Sequence, residues 1–248
     1  MKAGINKVAA ALAVAACVGC GSRDAAQPKS NSGQARVGPK SDSSQTRQNL
    51  TAAANGGRAK IVILGDSLTA GLGLPVEQSY PSVLQQRIND SGLPFDVVNA
   101  GVSGDTSAGG LSRLDWSLQG DVRVLVVALG GNDALRALPV EELTKNLSRI
   151  IERAQARHIT VILAGMEAPP NWGRDYIVAF HRVYVELAAK YHVALVPFLL
   201  QNVAGDDTLN QSDGIHPTAA GARIVADNVW SVLRTVAEQA QQKPRGGS

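Results

Sequence analysis

The chain has 248 residues, of which 44% are hydrophobic and 18% are charged, a balance that excludes an intrinsically disordered protein and fits one substantial folded domain. Its net charge of +3 comes from the amino terminus, because residues 1–57 hold seven Lys or Arg and two Asp, whereas residues 58–248 hold 17 Lys or Arg and 19 Asp or Glu. The larger part therefore gives no electrostatic reason to expect a nucleic-acid-binding protein.

The first 20 residues predict an export signal of the lipoprotein type. A positively charged start is followed by an apolar segment, residues 8–16, that is shorter than the ~20 residues needed to span a bilayer. Cys17 and Cys20 end this leader, and either could become the lipidated first residue of the mature protein. An ordinary cleaved signal is the alternative. We expect an exported protein, periplasmic or held at the outer membrane by lipid, with no other membrane contact.

Composition divides the rest of the chain into three parts. Residues 21–57 are rich in Ser, Gln, Asn, Gly, Ala and Pro and predict a flexible low-complexity tether. Residues 58–240 predict one folded domain, and residues 241–248 a disordered tail. This domain contains no Cys, so no disulfide can stabilise it.

Within the predicted domain, short apolar runs alternate with longer segments of helical periodicity. The predicted strands are residues 61–64, 95–98, 122–129, 159–163 and 193–197. The predicted helices are residues 78–90, 106–119, 140–157, 174–191 and 217–240. This alternation indicates an α/β domain with a mostly parallel five-stranded sheet covered on both faces.

Polar, glycine-rich segments follow three of the strands and precede the last helix. They are residues 65–71, 99–107, 130–133 and 213–217. Ligands bind at the carboxyl ends of the strands in such sheets, so these segments predict one shared site.

The residue types in these segments suit nucleophilic catalysis. Ser67 would need a base to remove its proton, and His216 with Asp213 three residues before it has the spacing of a base and its orienting carboxylate. Attack on a carbonyl also needs donors for the oxyanion. The candidates are the backbone N–H groups of Ser67 and Gly104 and the side-chain amide of Asn132.

Each segment alone has a structural alternative. Ser67 could cap the helix after the first strand, and Gly130-Gly131-Asn132-Asp133 and Asp213-Gly214 could each form a turn. Because each of the four segments follows a predicted strand or precedes a predicted helix, together they favour a catalytic site. The other histidines lack metal-ligand spacing, and the glycines form no dinucleotide or phosphate-binding fingerprint.

Together the four segments resemble, in order, the motifs of the SGNH (GDSL) hydrolase superfamily, over essentially all of residues 60–235. They are most similar to its bacterial thioesterase, arylesterase and lysophospholipase branch. The resemblance implies a flavodoxin-like three-layer α/β/α sandwich and neither cofactor nor metal. It also implies Ser67 as nucleophile, His216 as base, Asp213 as its orienting group, and an oxyanion hole of Ser67, Gly104 and Asn132.

We therefore expect a monomeric serine hydrolase that cleaves small carboxylic esters and thioesters through an acyl-enzyme. A carbohydrate O-deacetylase with the same residues, or a noncatalytic surface lipoprotein that binds acyl groups or sugars, are the alternatives. Leu72 and Leu74, which follow the nucleophile, and Trp172, in the loop after the fourth strand, are expected to line an acyl groove.

Overall fold

The computed structural model describes residues 57–242. Its strands are β1 Ala59–Gly65, β2 Phe95–Gly101, β3 Val122–Ala128, β4 Thr160–Ala164 and β5 Ala194–Val196. They form one sheet in the order β2-β1-β3-β4-β5, in which all neighbours are parallel. The predicted α/β class with a five-stranded parallel sheet is confirmed.

Helices cover both faces of this sheet. Those of the described part are α1 Ser67–Ala70, α2 Tyr80–Asp90, α3 Ser107–Ser112, α4 Leu114–Ser117, α5 Gly131–Leu135, α6 Val140–Ala156, α7 Arg174–Tyr191 and α8 Ala219–Gln242, with 3-10 turns at Val76–Gln78 and Pro170–Trp172. On one face α2 packs against α8, and on the other α6 packs against α3 and α7. The result is the expected three-layer sandwich.

The apolar core lies on both sides of the two central strands. Every residue from Ile61 to Leu64 in β1 and from Val124 to Val127 in β3 is fully buried, as parallel strands between two helix layers require. In α6, five residues at helical spacing turn the same face inward: Leu143, Leu147, Ile150, Ile151 and Ala154. The hydrophobic pattern predicted this face correctly.

The strand order places the site. The chain runs from β1 outward to β2, then returns past β1 to β3, so the connections leave these two central strands in opposite directions. Ligands bind in such sheets at this switch point, beyond the carboxyl ends of the strands. Ser67 follows β1 and Asn132 follows β3, so both lie there.

One predicted helix is interrupted. Residues 106–119 form two short helices, α3 and α4, separated at Arg113, which has the non-helical backbone angles φ −105° and ψ 9°. The glycines in α3 serve packing, because a Cβ at Gly110 would lie 2.3 Å from Leu129 Cδ1. The guanidinium of Arg113 donates hydrogen bonds to Gly65, at the end of β1, and to Asp105, in the loop that follows β2.

The start of the last helix also differs from expectation. Pro217 suits a first helical position, yet it pairs with Asn210 in an isolated bridge, and α8 begins at Ala219. Thr218 is the better cap, since its Oγ1 accepts a hydrogen bond from Gly221 N–H at 3.3 Å. At the other end α8 extends to Gln242, so residues 241 and 242 are helical rather than part of the predicted tail.

The first residues of the described part are anchored to the sheet. The Arg58 guanidinium donates to the Leu93 carbonyl at 2.8 Å and lies 3.4 Å from the Asp96 carboxylate, which ties the start of β1 to the edge of the sheet. The predicted leader, the tether except Gly57, and residues 243–248 lie outside the described residues. Among the described helices, none has the length and apolar character to cross a membrane.

Candidate active site

Ser67 sits in a tight turn between β1 and α1. Asp66 caps α1 by accepting a hydrogen bond from Leu68 N–H at 3.0 Å, and Ser67 is the first residue of the helix. Only glycine fits at position 65, because a Cβ there would lie 2.0 Å from Thr69 Oγ1 and 2.9 Å from the Ala128 carbonyl oxygen. The turn is compact, and the Ser67 residue is only 9% exposed.

The loop before α8 brings a histidine and a carboxylate to this serine. His216 Nε2 lies 2.8 Å from Ser67 Oγ, and His216 Nδ1 lies 2.7 Å from Asp213 Oδ2. With its proton on Nδ1, His216 donates to Asp213 and leaves Nε2 to accept from the Ser67 hydroxyl. This relay can remove a proton from the serine during attack on a carbonyl.

Asp213 is stabilised as an anion by its own loop. Its Oδ1 accepts the N–H groups of His216 at 3.0 Å and Ile215 at 2.9 Å. These bonds, with that from the His216 side chain, hold the pKa of Asp213 well below its usual range. Gly214 permits the turn with a φ of 71°. Asp213 is therefore ionised when His216 accepts the proton of Ser67.

Asp66, the residue before Ser67, is buried, whereas Asp213 is partly exposed to solvent. Asp66 is 2% exposed, and burial raises its pKa to about 6, against the lowering effects of the Leu68 N–H, the Asn132 amide and the His216 charge. Asn132 Nδ2 donates to Asp66 Oδ2 at 3.3 Å. That bond fixes the orientation of the Asn132 amide and leaves its second N–H for another acceptor.

The loop after β2 carries Gly104 and is attached to the nucleophile turn. Its Val102 N–H donates to the Gly65 carbonyl at 3.0 Å. Arg113 joins the same two segments, since its Nη2 donates to Gly65 O at 2.9 Å and its Nε to Asp105 Oδ2 at 2.6 Å. Gly104 has a φ of 84°, and its carbonyl accepts from Arg136 Nη2 at 2.9 Å.

A buried polar cluster supports Asn132 from the other side. The neighbouring Asp133 accepts from Ser107 N–H at 2.7 Å and from Ser107 Oγ at 2.6 Å. Asn146 of α6 completes the cluster by donating to Ser107 Oγ at 3.0 Å. Since all three side chains are buried, this cluster holds the ends of β3 and the Gly104 loop in register.

Two cavities adjoin Ser67. The larger, of about 160 Å³, is also lined by His216 and Asn132. Its apolar walls are Leu68, Leu135, Met166, Pro169, Leu200 and Ile215. The smaller, of about 10 Å³, lies toward Tyr80 and has room for about one water molecule.

The predicted site residues are distributed unevenly around these cavities. Ser67, His216 and Asp213 form one hydrogen-bonded chain, and Asn132 lines the larger cavity, whereas Gly104 lies on the adjoining loop outside its lining. Leu72 and Leu74 line the smaller cavity, which is too narrow for an acyl chain.

Trp172 departs from the expectation. It is 41% exposed on the 3-10 turn after β4, so it is not a core residue, and it lines neither cavity. The apolar wall expected of it comes from Pro169 and Met166, because the turn carries Trp172 beyond the cavity.

Sequence reasoning missed the walls contributed by Met166 and Leu200. In the sequence, an apolar residue that follows a strand gives the same pattern whether its side chain faces the core or a cavity. Asp66 had a usable signal, a carboxylate directly after an apolar strand. No group of three or more His, Cys, Asp or Glu residues within residues 57–242 could hold a metal ion.

Residues 63–224 match the GDSL-like lipase/acylhydrolase family. The chain belongs to this family. It is 45% identical to esterase TesA of Pseudomonas aeruginosa over 175 residues, which cover 70% of this chain and 87% of TesA. It is 36% identical to thioesterase 1/protease 1/lysophospholipase L1 of Escherichia coli K12, covering 67% and 79% of the two chains.

The fold of this chain is also similar to a solved structure of the same family. The crystal structure of TesA has a TM-score of 0.69 and 43% identity, covering 71% of this chain and 99% of TesA. The predicted SGNH hydrolase fold and the predicted family are confirmed.

Proposed function

We propose that this protein is a serine hydrolase that cleaves carboxylic esters and thioesters through an acyl-enzyme on Ser67. The reaction class is that of its lipase/acylhydrolase family and of relatives named as an esterase and as a thioesterase and lysophospholipase. The observation that carries the mechanism is the hydrogen-bonded chain from Ser67 through His216 to Asp213 at the edge of a cavity.

In the first half-reaction, Ser67 Oγ attacks the carbonyl carbon while its proton passes to His216 Nε2. Asp213 stabilises the imidazolium that forms. The oxyanion receives hydrogen bonds from the Asn132 amide and from the backbone N–H groups of Ser67 and Gly104. His216 then protonates the departing alcohol or thiol, and the acyl group stays on Ser67.

The second half-reaction releases the acyl group. Water gives a proton to His216 Nε2 as it attacks the acyl-enzyme, and the same donors stabilise the second oxyanion. Ser67 leaves with the proton from His216, so no cofactor is consumed.

The larger cavity is the place for the acyl chain. Its ~160 Å³ is comparable to cavities that hold one benzene molecule, about 150 Å³, so short acyl groups and aryl rings fit. Each methylene buried against Leu135 or Met166 contributes about 0.8 kcal/mol. We expect kcat/KM for p-nitrophenyl esters to rise from acetate to butyrate and to gain little at octanoate.

Labelling tests the proposal directly. A fluorophosphonate probe should bond covalently to Ser67, and Ser67→Ala should lose both the label and ester hydrolysis while it remains folded. A noncatalytic binding protein would not react with the probe. An unlabelled wild-type chain, or a Ser67→Ala variant with full activity, would contradict the proposal. Preference for an acetylated polysaccharide over p-nitrophenyl butyrate would favour the deacetylase.

The location of the protein is a separate proposal. We infer from the leader that the exported chain is lipidated at Cys17 or Cys20, and that residues 21–57 let the domain range away from the membrane. The wild-type protein should fractionate with membranes, and replacing both cysteines should release it. A soluble wild-type protein would indicate simple secretion. Size-exclusion chromatography tests the expected monomer.

A further inference from the structure

A carboxylate stands in the apolar wall of the larger cavity. Glu167 follows β4 and lines the same space as Ser67, and its side chain is 36% exposed. It lies between two apolar wall residues, Met166 and Pro169. The hydrolysis mechanism assigns this carboxylate no role.

The Glu167 side chain is held in place by a histidine outside the cavity lining. His181 of α7 places Nδ1 2.7 Å from Glu167 Oε1, so the imidazole N–H can donate to one carboxylate oxygen. The other oxygen, Oε2, has no hydrogen-bond partner among the described residues. A carboxylate already fixed in place loses less side-chain entropy when it binds a ligand.

The lining of the cavity contains no permanently cationic side chain that would neutralise Glu167. The ionisable residues that line the cavity are Asp66, Glu167 and His216, and no Lys or Arg is among them. Arg136 is close in sequence to the wall residue Leu135, but its guanidinium donates to the Gly104 carbonyl outside the lining. Apolar walls screen the carboxylates less than water does, so the cavity attracts positive charge and repels negative charge.

We propose that Glu167 forms a subsite for positively charged substrate groups, so that an ester with a cationic acyl or alcohol portion is preferred to a neutral ester of the same shape. This inference rests on the proposed function and adds a substrate class to it. A quaternary ammonium group suits the site because it fills apolar space and needs no hydrogen-bond acceptor.

Two pairs of isosteric esters isolate the charge. The acyl pair consists of the p-nitrophenyl esters of 4-(trimethylammonio)butanoate and 5,5-dimethylhexanoate. The alcohol pair consists of butyrylcholine and 3,3-dimethylbutyl butyrate. A partly exposed carboxylate contributes up to about 1 kcal/mol, so kcat/KM of the wild type should favour the cationic member of at least one pair about fivefold.

Glu167→Gln keeps the size of the side chain and removes its charge. The ratio within the preferred pair should fall close to one, while kcat/KM for the neutral ester stays within about twofold. Glu77→Gln is the matched control, since Glu77 lies in the exposed turn after α1, outside the cavity lining, and the substitution changes the net charge equally. The control should keep the wild-type ratio.

The outcomes separate this inference from the proposed function. Hydrolysis of both neutral esters with cation ratios near one in the wild type, or ratios unchanged in Glu167→Gln, would overturn the subsite alone. If the wild type hydrolyses none of the four esters, the proposed function fails, and the subsite is measured by binding of phenyltrimethylammonium. Its Kd should be about fivefold weaker in Glu167→Gln than in Glu77→Gln, and equal values would overturn the subsite.

Discussion

Two carboxylates flank Ser67 in opposite surroundings. The Asp213 side chain is 45% exposed, whereas Asp66 is 2% exposed. Both accept backbone N–H groups, yet the pKa of Asp213 is held well below its usual range and that of Asp66 is raised to about 6. Hydrogen bonds decide the pKa of the carboxylate that keeps contact with water, and burial decides the other.

The two groups act on stability with opposite signs. The raised pKa of Asp66 means that the folded state binds this proton more tightly than the unfolded chain, so the free energy of unfolding falls as pH rises from about 4 to about 6. Asp213, with its lowered pKa, contributes stability above about pH 4 that is lost as the pH falls toward its folded pKa. Charge at Asp213 supports the fold, and charge at Asp66 opposes it.

The largest effect is expected on the exposed side. Asp213→Ala should lower kcat by about 10⁴, because His216 loses the group that holds its tautomer and stabilises its positive charge. The variant should stay folded but unfold at a somewhat lower urea concentration than the wild type, since Asp213 accepts three hydrogen bonds within its own loop. Asp207→Ala, an exposed substitution in the same loop, is the control and should keep full activity. A loss below tenfold in Asp213→Ala would assign the orienting role to another group.

On the buried side, Asn132→Ala should lower kcat by about 10² to 10³ with little change in KM. A donor to the oxyanion acts mainly in the transition state, and removing one costs about 3–4 kcal/mol. The measurement is a kinetic series with p-nitrophenyl butyrate. A raised KM at constant kcat would make Asn132 a substrate-binding residue.

Asp66→Asn tests the contrast between the two carboxylates directly, because it removes the buried charge. Between pH 4.5 and 7 the ionisation of Asp66 should lower wild-type stability by about 2 kcal/mol, and this component should vanish in the variant. Urea unfolding at the two pH values measures it. Identical pH dependence in the two proteins would show that Asp66 is not the titrating group.

The smallest effect concerns the cluster that supports Asn132. Asn146→Ala removes the donor to Ser107 Oγ and should lower the free energy of unfolding by about 1 kcal/mol, the usual net contribution of one hydrogen bond, because Ser107 Oγ keeps its bond to Asp133. Gln155→Ala on the same helix, where the side chain is exposed, should change stability by at most about 0.5 kcal/mol. Equal losses in the two variants would show that the buried hydrogen bond to Ser107 contributes no more than the exposed bond of Gln155.

Periodicity predicted the strands and most helices because each reports local burial. Residues 140–157 show one apolar stripe, and the observed helix differs from the prediction by one residue at its end. Residues 106–119 were harder, because Arg113, where the helix breaks, donates to the carbonyl of Gly65, which is 48 positions away, as well as to nearby Asp105. No local pattern contains that information.

For the site, the sequence by itself determined that Ser67, Asn132, Asp213 and His216 lie at one edge of the sheet. Parallel strands bring their carboxyl ends together whatever the details of packing, and the structure places Ser67 within hydrogen-bond distance of His216 across 149 positions. Spacing also made Asp213 and His216 partners, since both belong to one short loop.

Only the tertiary structure decided which carboxylate is buried and what lines the cavity. Leu200, Met166 and Ile215 come from different segments and share a cavity wall, whereas Trp172 lies outside it. Asp66 and Asp213 have the same side chain, and their pKa values differ because burial in the core raises that of Asp66, whereas hydrogen bonds within its own loop lower that of Asp213. Burial and cavity shape arise from all packed elements together, so no single stretch of sequence contains them.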